Sequence, residues 1–259
     1  MCKNDDANKS QIKSSETKDT MNWQHDVAVQ YEQTIAQKIA GYELLHHTME
    51  RMLTGHLART AVDTESARLL VVGAGGGQEL ALLGARHPGW QMTGIDPSPS
   101  MLSAARERIA QAGLEEQVRL QLGYAKDLPH NAGFDAAICM LVLHFVQGIP
   151  AKRALLQEIH ARLQPGGILL CSTICGEPAS EAFRCQMAGW RQHMLHAGLT
   201  LEDWNRFAGT IGVQSDVIAA HQIERLLRDT GFETTGRFFG SFLIEGFFAI
   251  KGGAIGNEG

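Results

Sequence analysis

The residues best placed to do chemistry form a glycine-rich turn and a carboxylate. Val71-Val72-Gly73-Ala74-Gly75-Gly76-Gly77 ends a short apolar run, and Asp96 follows 19 residues after Gly77. Glycines at such a turn tolerate positive φ and let a ligand approach the backbone closely. A carboxylate ending the next strand can accept hydrogen bonds from both hydroxyls of a ribose. The G-x-G-G-G spacing is not the G-x-G-x-x-G of a dinucleotide site. Glycine loop and aspartate together, in strand–loop–helix–strand order, point to a ligand containing adenosine.

Other reactive side chains are His144, His193 and His196, candidate bases because imidazole titrates near neutrality. His144 is the catalytic candidate, since it lies just past the apolar run Phe134–Met140. His46 and His47 read as surface residues of an N-terminal helix. The five cysteines (Cys2, Cys139, Cys171, Cys175, Cys185) are odd in number and unpaired in pattern, which suggests reduced thiols and a cytoplasmic setting. Cys171 and Cys175 are four apart but lack a second pair, so no metal site is expected.

The elements that must hold these groups follow from hydrophobic periodicity. Residues 1–20 carry eight charged side chains and almost nothing apolar, and are expected to be disordered. Residues 21–65 read as lid helices. Val27, Tyr31 and Ile35 recur every four residues, Gly41 breaks the pattern, and Leu45, Met49, Met52 and Leu53 resume it. From residue 66 short apolar runs alternate with helical stretches: strands at 69–72, 91–95, 118–122, 134–140 and 168–173, helices at 78–86, from Ser98-Pro99, and at 151–163. That alternation predicts a doubly wound, Rossmann-like α/β fold with a mostly parallel seven-stranded sheet. A helix at 215–228 and two strands joined at Gly240 predict an antiparallel C-terminal hairpin, completing a domain over 66–259. The intervening stretch, about 176–214, reads as a helical cap over the carboxyl edge of the sheet, with Phe183, Trp190 and Trp204 as candidate aromatic substrate walls.

The chain is 259 residues long with net charge −5, so no basic excess marks a nucleic-acid surface, and no apolar run reaches the roughly 18–20 residues of a membrane span. A small-molecule partner is expected, with no direct nucleic-acid or membrane contact; a homodimer is compatible with the sequence.

Further motifs carry a resemblance. Gly123-Tyr124-Ala125 followed by Asp127-Leu128-Pro129, then Phe134-Asp135 entering a run that leaves as Leu143-His144-Phe145, then Leu163-Gln164-Pro165-Gly166-Gly167, resemble the class I S-adenosylmethionine-dependent methyltransferases over about residues 66–175. The resemblance implies S-adenosyl-L-methionine as cofactor and methyl transfer to a small-molecule nitrogen or oxygen. It implies that Gly73, Ala74 and Gly75 lie against the methionine part, that Asp96 holds the ribose with Pro97 beside the adenine, and that the adenine amine meets the Ala125 backbone near Tyr124. Val71 stands where many members carry an acid that supports the methionine amino group.

A narrower similarity, through Val27-Ala28, Tyr31, Gly41-Tyr42, the Arg206 region and Gly231-Phe232, is to the carboxy-S-adenosylmethionine synthase branch, which modifies its cofactor for tRNA wobble-uridine modification. It implies that Tyr42 touches the cofactor, that Met140 replaces an asparagine of the cofactor site, and that Arg206 meets a carboxylate of substrate or cofactor. A binding module without turnover is the third reading, resting on the two missing acidic cofactor positions.

Overall fold

The computed structural model describes residues 34–60, 65–130 and 132–253. The expectations for residues 1–20 and for Val27, Ala28 and Tyr31 lie outside these residues. A helical turn at 34–38 is followed by Gly41 (φ 76°) and helix α1 (Tyr42–Arg59). Then come β1 (Arg68–Val72), α2 (Gln78–Arg86), β2 (Gln91–Asp96), α3 (Pro99–Ala112), β3 (Val118–Leu122), β4 (Phe134–Met140), α4 (Ile149–Arg162) and β5 (Leu163–Ile174). The chain continues as α5 (Glu181–His196), α6 (Leu201–Thr210), α7 (Ala220–Asp229), β6 (Phe232–Ser241) and β7 (Ile244–Lys251).

The sheet has seven strands in the order β3-β2-β1-β4-β5-β7-β6. β1 to β5 pair in parallel, and β7 lies antiparallel between β5 and β6. The central strands β1, β4 and β5 are covered on both faces, so the two-residue alternation of β1 divides one apolar run between two cores, whereas the edge strand β3 stays partly open. Leu69 and Val71 pack with Leu45, Met49 and Leu53 of α1 and Leu80 and Leu83 of α2. Leu70 and Val72 pack with Leu156 and Ile159 of α4 and Ile223 and Leu227 of α7.

Local signals set the helix starts. Ser98 caps α3 by accepting from the Met101 N–H at 3.3 Å, with Pro99 as the first helical residue. Three boundaries differ from the sequence expectation. β5 begins at Leu163, because Pro165-Gly166-Gly167 stays within an irregular ladder beside β4 instead of breaking before it. α7 begins at Ala220 rather than Ser215; Ser215 and Ile218 instead bridge to Ile211 and Cys175. The hairpin turns at Phe242-Leu243, not at Gly240, which pairs with Glu245 inside the ladder; Phe242 takes φ 49°, the left-handed conformation a two-residue turn requires.

Candidate functional site

Because strand order reverses between β1 and β4, the loops leaving these strands diverge at their carboxyl ends and open a crevice there. A cavity of about 610 Å³ fills it, walled by the Gly73–Gly76 turn, Asp96-Pro97, Met101 and Arg108 of α3, Met140-Leu141-Val142 after β4, and Ile35, Tyr42 and His46 from the N-terminal segment. Gly73 has φ 67° and donates its N–H to the Ile95 carbonyl at 2.9 Å; a Cβ there would stand 2.3 Å from Val142 Cγ2. Only glycine lets the two loops approach this closely.

Asp96 is 8% exposed. Its Oδ2 accepts from the Gly75 N–H at 2.9 Å and its Oδ1 from the Ser98 N–H at 2.8 Å. Burial pushes its pKa above the ordinary carboxylate value, against the pull of those two N–H groups. Loop and carboxylate are therefore one hydrogen-bonded unit. Each oxygen keeps a lone pair beyond the one it uses, which is what a ribose diol needs. The glycine cradle and the carboxylate fit an adenosyl ligand.

The N-terminal segment supplies the facing wall. Tyr42 lines the cavity at the start of α1. His46, expected on the surface, is buried in the same wall. Its Nδ1 lies 2.8 Å from the Tyr42 carbonyl and its Nε2 2.9 Å from Glu79 Oε1. Burial favours the neutral ring, but the Glu79 hydrogen bond and charge, with the Tyr42 carbonyl, outweigh it and raise the His46 pKa above the usual histidine value. His46, Glu79, Met101, Arg108 and Leu141 are wall residues the sequence did not single out. No local pattern marks them, since His46 and Glu79 are 33 residues apart.

A second cavity of about 180 Å³ shares Ile35, Leu141 and Phe145 with the first and is closed by Lys38, His144, Ile174, Asp203, Arg206, Phe207, Thr210 and Ser215. Leu141, between the two, has φ 56°, a costly conformation for leucine, held by its N–H donating to the Ser172 carbonyl (2.9 Å) and Oγ (3.1 Å).

His144 faces this second cavity but is not built as a base. Its Nδ1 accepts from the Ile174 N–H at 3.3 Å and lies 3.2 Å from Thr173 Oγ1, so the neutral ring carries its proton on Nε2. Burial, aided by the Lys152 charge, lowers its pKa to about 3. The catalytic-base expectation is corrected to that of a neutral hydrogen-bond donor. His193 and His196 line neither cavity.

The substrate-wall expectation also changes. Trp190, Trp204 and Phe183 are buried in the apolar core and line neither cavity. Trp190 donates its Nε1–H to the Lys38 carbonyl at 2.6 Å and packs edge-on against Phe207. Aromatic area is too valuable in the core to be spent on a wall, and Phe207 alone of the cap aromatics reaches the cavity.

Arg206 lines the second cavity, not the first, and its side chain is 60% exposed. Its guanidinium pairs with Glu202 at 3.1 Å and Asp203 at 3.7 Å on its own helix, so it does not meet a carboxylate at the methionine end of the larger cavity. Tyr124 is 58% exposed, and neither it nor Ala125 joins the walls; the Tyr124 N–H and Asp127 carboxylate close a turn of their own.

Comparison with known proteins agrees with this geometry. The family described as "Methyltransferase domain" matches residues 70–169. A ubiquinone biosynthesis O-methyltransferase of Xanthomonas euvesicatoria pv. vesicatoria is 31% identical over 142 residues, 54% of this chain and 56% of that protein. The chain thus spans about half the length of the curated relatives it matches. Among solved structures, phosphoethanolamine N-methyltransferase 2 of Haemonchus contortus superposes with a TM-score of 0.61 at 15% identity, over 90% of this chain and 59% of that one. An O-methyltransferase family protein from Burkholderia thailandensis does so with 0.56 at 14% identity, over 89% and 59%. Residues 70–169 match the methyltransferase domain family, and the chain has the Rossmann-like fold of these solved methyltransferase structures.

Proposed function

We propose that this chain binds S-adenosylmethionine in the larger cavity and transfers its methyl group to an oxygen or nitrogen of a small organic acceptor held in the second. The observation that carries the reading is that two adjacent cavities share Ile35, Leu141 and Phe145 as wall residues, one holding the Asp96 carboxylate and the other lined by both apolar and polar side chains. About 610 Å³ lies within the usual range for a drug-sized ligand. Of the three similar proteins named above, two are named as O-methyltransferases and one as an N-methyltransferase, so their names support the reaction without choosing the acceptor atom.

When bound, the cofactor supplies an electrophilic sulfonium methyl, so the chain's task is to bind, align and exclude water. Asp96 accepts the ribose hydroxyls, and the Gly73–Gly75 backbone lies against the methionyl chain. Leu141 and Phe145, which wall both cavities, set where acceptor and methyl meet. His144 donates from Nε2 and orients the acceptor without taking its proton. Ile35, Ile39, Leu199, Phe207 and Ile244 make the acceptor chamber mainly apolar. A reduced, cytoplasmic setting goes with this proposal, supported by the free thiols Cys139, Cys171, Cys175 and Cys185.

The test is calorimetry with S-adenosylhomocysteine, followed by methyl-transfer assays on a panel of small phenols and amines. Binding with product formation on at least one acceptor supports the reading; absence of S-adenosylhomocysteine binding removes it.

A further inference from the structure

We infer that Glu79 is the carboxylate that holds the ammonium group of the cofactor's methionyl end; the inference rests on the cofactor reading above. An amino-acid ammonium placed in a partly enclosed cavity needs an anionic partner to offset its lost hydration. Among the described residues, three acidic side chains line the larger cavity: Glu43, Glu79 and Asp96. Glu43 is exposed on the outer part of α1. Both oxygens of Asp96 already accept backbone N–H groups, and it stands at the end of β2, the ribose side. Glu79 remains. It is two residues past Gly77, in the first turn of α2, and only 9% exposed, so its charge acts where water screens it least.

The neighbours of Glu79 engage one of its oxygens and leave the other open. Tyr42 O and Glu79 Oε1 both act as acceptors toward His46, so the ring donates from both nitrogens and carries a positive charge. Glu79 is its counter-ion through Oε1, while Oε2 accepts from no protein donor among the described residues. Arg108 lines the same cavity and donates to the Gly76 carbonyl, placing a cation beside the loop. The walls around the glycine turn thus offer both signs of charge, as a zwitterionic amino-acid terminus requires. His46 is a positioning residue here: it holds the Glu79 side chain and ties it to the lid helix.

The experiment compares S-adenosylhomocysteine with its deaminated analogue, in which hydrogen replaces the ammonium, by calorimetry on wild type and Glu79→Gln, with thermal melting as a check on folding. The wild type should prefer S-adenosylhomocysteine by about tenfold or more, and Glu79→Gln should lose that preference while binding the analogue within about twofold of wild type. Equal weakening of both ligands in Glu79→Gln would show a purely structural role and overturn the inference. A wild type that binds both ligands equally would overturn it while leaving the cofactor reading intact, and needs no variant to fold. A wild type that binds neither ligand would overturn both.

Discussion

Asp96 and His46 illustrate opposite uses of burial. Burial raises the pKa of Asp96 while the Gly75 and Ser98 N–H groups pull it back and hold the side chain, so its carboxyl group is oriented before any ligand arrives. Replacing it with alanine should weaken S-adenosylhomocysteine binding by about 1.5–3 kcal/mol, the range for hydrogen bonds to a charged group. Unchanged affinity in calorimetry would place the ribose elsewhere. His46 gains from its partners, so its pKa is raised in the folded state. Its contribution to stability is therefore complete below the unfolded value of about 6.5 and is lost as pH rises through the higher folded value. The melting temperature of wild type should exceed that of His46→Gln most at about pH 6, and the gap should narrow toward pH 9. A gap independent of pH would mean that His46 is neutral in the fold. For His144 the pKa of about 3 leaves a neutral ring throughout the working range. His144→Gln should lower turnover without changing the shape of the pH–rate profile; loss of a limb near neutrality would restore the ring as a base.

At the scale of elements, the segment after β4 has to be held in place, because it walls both cavities. Lys152, fully buried in α4, does this by donating to the carbonyls of Leu143 (3.0 Å), Val146 (2.5 Å) and Asp216 (2.9 Å) while pairing with the Asp216 carboxylate at 3.2 Å. One ammonium thus ties the 143–146 turn to the stretch leading into α7. Lys152→Met should cost about 3–5 kcal/mol in denaturant unfolding, because it leaves buried acceptors and a carboxylate without their partner. A cost below about 1 kcal/mol would mean that water replaces the ammonium. The facing loop is set by sterics. Gly73→Ala puts a Cβ against Val142 in a conformation alanine adopts only under strain, and should cost about 1–3 kcal/mol. Adding Val142→Ala should recover part of that loss through relieved contact. Full recovery would show that the positive φ carries no cost of its own.

Across the whole molecule, a ligand bridging β1, β2, α2 and the lid helix couples parts of the sheet that otherwise meet only through the core. S-adenosylhomocysteine at 100 times its dissociation constant should add about 2.7 kcal/mol, raising the melting temperature by about 5–10 °C. No such rise at saturation would contradict binding to the folded state. None of the described helices is long and apolar enough to cross a membrane. The sequence by itself determined the order of strands and helices, since the central strands β1, β4 and β5 are buried on both faces and read as short apolar runs between helical stretches. It also marked the Gly73–Gly77 turn and Asp96, whose chemistry depends on residue type and on a spacing fixed by one helix and one strand. The tertiary structure alone decided what meets across the crevice. His46 and Glu79 come together only because α1 folds onto the start of α2, and His144 loses its basicity only because the fold buries its ring near the Lys152 charge, with its Nδ1 accepting from the Ile174 N–H of β5. The cap aromatics went to packing for the same reason: hydrophobic pattern says that a side chain is buried, whereas the neighbour it is buried against, core or cavity, is fixed by contacts between segments far apart in the chain.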